Sequence, residues 1–289
     1  MFTVGAVAAL TMTGCGRPAG VDGDLTDNWP SLGTPEVFVP EAGVCHPRLQ
    51  DVTLLAYRPV DCARPHLTET VYVGSFAGPD ADRSIPPAPG SPAVRAARAE
   101  CDKQADALLG GDWRSGRLVL ALLVPRAEAW SGGARWYRCD LTEVESLDND
   151  KPVARTGSLA GTLAGPSPLA YTCFNPKLIK DEINFMEPVP CDRPHHAEFA
   201  GIYTAAENTF EAFLADDRRT QKGCLTVIAR FAKIPDDAAT QVRVGSIFYH
   251  PDAPAWLDGN RGVQCFLWID DREVTGSLRG AGPAKLPAR

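Results

Sequence analysis

The sequence predicts an α+β chain of two tandem homologous domains, each a small antiparallel β-sheet carrying one helix and two disulfides. Three observations predict it. The pattern P-V-x-C-x-R-P-H-x-x-E occurs at 59–69 and again at 188–198. Pro125, Trp130 and Cys139 recur as Pro251, Trp256 and Cys265, both with the spacing P-x4-W-x8-C. The tetrapeptide Thr-Gly-Ser-Leu then follows at 156–159 and at 275–278. Matched patterns in one order mark an internal duplication. It divides the chain into a signal segment at 1–15, a tether at 16–40, and repeats at 41–160 and 161–289.

Each repeat reads as the same series of elements. After Cys45, the residues Val52, Leu54, Leu55 and Tyr57 suggest a strand leading into the C-x-R-P-H turn. Residues 70–73 and 199–203 carry the β-branched and aromatic content of a second strand. Residues 92–109 begin with Pro after Ser91 and stop at Gly110-Gly111. Between them Val94, Ala97, Cys101, Ala105 and Leu108 recur at helical spacing, so this is a helix with one apolar face. Residues 218–231 play that part in the second repeat, through Cys224, Leu225, Ile228 and Phe231. Strands are expected at 118–124 and 242–249, and the last Cys of each repeat belongs to another. The Gly111-Asp112-Trp113 element of the first repeat has no clear counterpart in the second.

Eight of the nine cysteines fall into this frame: Cys45, Cys62, Cys101 and Cys139, then Cys173, Cys191, Cys224 and Cys265. Confinement to one repeat leaves three pairings, of which first with second and third with fourth is favoured. Each such bridge would stabilise by about 3–4 kcal/mol on chain-entropy grounds and needs an oxidising compartment.

Cys15 is left over. The apolar run before it is too short to span a bilayer but suits an export signal, and Thr13-Gly14-Cys15 resembles a bacterial lipobox. Met12 stands where Leu is usual, and no Lys or Arg precedes the run. The alternative is a buried N-terminal strand with a free thiol. Residues 16–40 are rich in Gly, Pro and Asp, a tether composition. The expected location is therefore extracytoplasmic, with lipid on Cys15 holding the chain to the outer face of the cell membrane.

Composition narrows the function. With 44% hydrophobic and 22% charged residues the chain is globular. A net charge of -7, with no Lys/Arg cluster longer than Arg218-Arg219, argues against nucleic acid. The His66/Glu69 and His195/Glu198 pairs suit a general base or a metal ligand. However, Pro65 and Pro194 put each His in a tight turn, where imidazole and Glu would fix the turn beside a disulfide. Arg64 and Arg193 are expected to pair with local carboxylates, the recurrent Glu included. Zinc is disfavoured because the cysteines lack C-x2-C spacing. Trp130 and Trp256 read as packing over their disulfides, with an interface or ligand platform as the alternative. G-x-S-x-G, G-x-x-x-x-G-K-[ST], S-x-x-K and H-E-x-x-H are all absent, so no catalytic residue, metal or cofactor is assigned.

The C-x-R-P-H-x-x-E core, a following helix with one Cys and the W-x8-C element together resemble the septum formation domain of actinobacterial envelope proteins. The resemblance covers roughly 41–160 and 165–280. It rests on Cys62, Pro65, His66 and Glu69, and on Cys191, Pro194, His195 and Glu198. It implies an exported or membrane-anchored chain linked to division or the cell wall, and it supplies no reaction. The function expected is a non-enzymatic envelope module that binds a protein or cell-wall partner, two copies adding avidity. The alternatives are a hydrolase of envelope polymer, with a His/Glu pair in a cleft between the repeats, and a metal-binding sensor.

Overall fold

Two antiparallel sheets organise the chain in the computed structural model, which describes residues 36–49, 58–180, 182–269 and 272–286. The first sheet has four strands: β1 (Val44–His46), β2 (Thr68–Ser75), β3 (Leu118–Leu123) and β4 (Trp136–Glu143), in the order β1-β2-β4-β3. The second has five: β5 (Cys173–Ile179), β6 (Glu182–Val189), β7 (Ala197–Thr204), β8 (Gly245–Tyr249) and β9 (Gly262–Trp268), in the order β6-β5-β7-β9-β8. Both central strands carry a register irregularity at the same place, between Thr70 and Tyr72 in β2 and between Phe199 and Gly201 in β7. The strand expected at 52–57, the apolar segment, Cys15 and the tether up to residue 35 lie outside the described residues.

Each sheet carries one long helix. α1 (Pro92–Leu109) starts where Ser91 accepts the Val94 amide and ends at Gly110 in the left-handed conformation. Ala97, Cys101, Ala105 and Leu109 form its buried stripe against Leu118, Leu120 and Leu141 of the first sheet. The later helix (Asp217–Ala232) buries Cys224, Leu225, Ile228 and Ala232 in the same way. Short helices depart from the one-helix expectation: α2 (Ala127–Ser131) and α3 (Phe210–Leu214) precede that long helix, here α4. Two more, α5 (Thr240–Arg243) and α6 (Ala253–Leu257), follow it. The strand expected from residue 242 begins only at Gly245. Thr240 is the reason: its hydroxyl donates to the Pro235 carbonyl and accepts the Asp237 amide, winding this stretch into a helical turn.

Four disulfides join Cys45–Cys62, Cys101–Cys139, Cys173–Cys191 and Cys224–Cys265, which is the favoured pairing. Two of them tie a long helix to the strand beneath it, α1 to β4 and α4 to β9.

Both sheets belong to one compact unit, Phe38–Arg289. Just beyond residue 160, Leu163 and Leu169 complete the first core. The element without a counterpart, Gly111-Asp112-Trp113, forms the seam together with the next residue. Arg114 donates from Nε to Asn260 Oδ1 (2.9 Å) and from Nη2 to Asp102 Oδ2 (2.8 Å), with Trp113 under its guanidinium at 4.5 Å. The Arg114 carbonyl accepts Gln264 Nε2 at 2.8 Å. A Cβ at Gly262 would overlap Arg114 Cδ, so a larger residue there has to displace the guanidinium from its partners. Among the described residues no helix is long and apolar enough to cross a membrane.

Candidate functional site

The two P-H-x-x-E motifs sit at the entry to β2 and β7, and each meets the Thr-Gly-Ser-Leu segment of its own half. His66 exchanges backbone hydrogen bonds with Arg155, and His195 does so with Val274. The Gly157 amide donates to the Cys62 carbonyl at 2.6 Å, and the Gly276 amide to Cys191 at 2.7 Å. Both glycines have φ near the left-handed value, 83° and 84°, which explains their identity. Glu69 then accepts the Ser158 hydroxyl at 2.7 Å and the Leu159 amide at 2.6 Å. Glu198 accepts the Ser277 hydroxyl and the Leu278 amide, each at 2.7 Å. The tetrapeptide stands out in the sequence as a repeat, but nothing there names its partner. The partner is the recurrent glutamate.

The histidines differ between the halves. Each Nδ1 faces a carbonyl two residues back, Arg64 or Arg193, at 2.8 Å, so each Nδ1 carries a proton. His195 Nε2 lies 3.1 Å from Glu198 Oε1, but His66 Nε2 is buried without a partner. The expected His–Glu bond therefore forms only in the second half. Arg64 and Arg193 serve through their carbonyls, and among the described residues neither forms an ion pair with Glu69 or Glu198.

Two groupings bring possible metal ligands within 4.8 Å of one another: Cys45, Cys62 and Glu69, and Cys173, His195 and Glu198. Their sulfurs are spent in disulfides and offer no thiolate. This donor set does not fit a structural zinc.

On the opposite face of β2 and β4 the halves diverge. His46 follows Cys45, Thr70 lies four residues past the motif histidine, and Asp140 follows Cys139; the matching residues in the second half are Phe174, Phe199 and Phe266. Thr70 donates to Asp140 Oδ1 at 2.8 Å, Arg138 Nη2 meets Asp140 Oδ2 at 2.8 Å, and His46 Nε2 is 3.1 Å from the Thr70 hydroxyl. Thr70 gives its only proton to Asp140, so His46 Nε2 is the donor and Nδ1 is a buried acceptor with no partner. Burial, aided by the Arg138 cation, pushes the His46 imidazole down to about 4, and burial also pushes the Asp140 carboxyl up against the pull of Arg138. The three phenylalanines instead pack edge to face, with Phe174 and Phe199 each 5.4 Å from Phe266.

Trp130 and Trp256 are 0% and 2% exposed, which rules them out as surface anchors. Each packs in the core cluster that holds its helix–strand disulfide. A residue missed in the sequence completes each: Arg135 stacks on Trp130 and Arg261 on Trp256, both at 4.3 Å. The recurrent spacing W-x4-R-x3-C was the available signal.

No curated protein and no solved structure matches the chain. One family model does, described as septum formation, over residues 42–265. That span takes in all eight bonded cysteines and the first of the two locks, the clasp of Glu69 on Ser158 and Leu159 that Glu198 repeats on Ser277 and Leu278, and the chain belongs to the septum formation family.

Proposed function

We propose that this chain is an exported protein of the cell envelope, held to the outer face of the membrane by lipid on Cys15. In this reading it is built from two tandem copies of one domain and acts as a non-enzymatic binding or scaffold module linked to septum formation. Family membership supports the septum-related role. One observation carries the non-enzymatic part: the recurrent glutamates are consumed by the fold. Glu69 and Glu198 are buried and spend their carboxylates on the Thr-Gly-Ser-Leu segments, which leaves them poor candidates for proton transfer to a substrate. The matched patterns and the shared position of the strand irregularity support duplication.

The test has two parts. Glu69→Ala removes the acceptor of two donors and should cost about 2–5 kcal/mol of stability, measured by urea denaturation, with loss of cellular function following loss of folded protein. A Glu69→Ala protein as stable as wild type but without function would overturn the reading. Mass spectrometry of protein taken from its native membrane should find a diacylglyceryl group on Cys15, and an unmodified Cys15 would remove the anchor.

A further inference from the structure

We infer that the seam between the two halves holds a binding site for an acidic sugar, that is, a saccharide bearing a carboxylate. A cavity of about 720 Å³ opens there, within the size range of small-ligand sites, which favour such junctions. Arg95 reaches it from α1 of the first half, and Arg261 lines it from the second. The two guanidiniums are close enough that Arg95 helps to lower the pKa of Arg261, behind burial as the larger cause. Among the described residues neither guanidinium is paired with a carboxylate: Arg95 donates to the Gly90 carbonyl, and Arg261 to the carbonyls of Glu207, Trp256, Asn208 and Asn260. Two cations against one carboxylate, Glu211, leave this cavity net positive in a chain of net charge -7, and a ligand carboxylate placed between the guanidiniums relieves their repulsion.

The remaining walls define the rest of the ligand. Phe210 presents a partly exposed ring, braced by Trp256 at 5.8 Å, and an aromatic face of this kind packs against the C–H face of a sugar. Glu211 and Asn208, both exposed on the same wall, can accept protons from the several hydroxyls an acidic sugar spreads around its ring, a spread that compact inorganic phosphate cannot match. The site joins two halves whose relative position is fixed by the Gly90 amide on Asp258 Oδ1 (2.9 Å) and by Arg114 on Asn260. It deepens the binding-module reading, and rests on it only in assigning binding rather than reaction.

The experiment is amide chemical-shift titration of the full-length protein with glucuronic acid, glucose and inorganic phosphate. Glucuronic acid should shift the amides of residues 208–211 and 256–261 saturably. Glucose should leave them unmoved at equal concentration. Arg95→Ala, at an exposed position, should melt with wild type and bind glucuronic acid about tenfold more weakly or worse, the loss of one charge-assisted contact. Phosphate binding as tightly as glucuronic acid would overturn the sugar assignment. Equal binding by wild type and Arg95→Ala, or no binding, would overturn the site. Either failure leaves the lock test untouched, because Arg95 takes no part in the locks.

Discussion

Replacing His46 by Gln tests the buried polar face of the first half. Gln keeps a donor for the Thr70 hydroxyl but does not titrate. The folded imidazole, 6% exposed and beside Arg138, is held at about 4 against 6.5 in the unfolded chain. A group whose folded value is depressed resists a proton that the unfolded chain accepts, so its stabilising effect is full above 6.5 and is lost as pH falls toward 4. That gap, integrated from about pH 7.5 to about pH 4.5, amounts to about 2.5 kcal/mol. Asp106, pushed up to about 6 mainly by burial, contributes with the opposite sign, as does Asp140; both are present in the two proteins and drop out of the comparison. Urea denaturation at the two pH values should therefore show wild type losing about 2–3 kcal/mol more than His46→Gln on acidification. Equal losses would refute the argument and mean that His46 exchanges protons with solvent in the folded state.

Three further outcomes follow from other contacts. Glu198→Ala should destabilise more than Glu69→Ala, because it strips a partner from His195 as well as from Ser277 and Leu278; equal midpoint changes in urea would contradict the 3.1 Å contact. Arg114→Ala should cost about 2–4 kcal/mol and expose the seam to limited proteolysis, since Asn260 and Asp102 lose a shared donor. Arg135→Ala should cost about 1–2 kcal/mol through the lost stacking and carbonyl contacts, read as a lowered melting temperature, with Arg135→Lys recovering only part.

Local signals carried much of the fold. Ser91, Pro92, the four-residue apolar spacing and Gly110 each act within a turn or two of the helix, and α1 has the predicted bounds. The short helices α2 and α6 were not legible because five residues around a buried Trp show no period, and Val242 and Val244 look like strand until Thr240 closes its turn. The lock was half legible. Both of its parts are visible as repeats, but Ser158 lies far along the chain from Glu69, and no spacing rule pairs a serine with a glutamate at that distance. The divergence of His46, Thr70 and Asp140 from Phe174, Phe199 and Phe266 was present in the aligned motifs. It acquires meaning only once the sheets place those side chains together.

The eight bonded cysteines pair off in chain order, first with second, third with fourth and so on, at sequence separations of 17, 38, 18 and 41. With Cys15 taken by lipid, a polypeptide threaded amino end first into an oxidant, and oxidised as it emerges, offers each cysteine its correct partner before a wrong one is available. Random oxidation of the complete, unfolded chain has no such guide and must sort its bonds by thiol exchange. The order of the cysteines thus encodes a route as well as an end point. Recovery after full reduction should depend on a thiol catalyst to a degree that first-time synthesis does not.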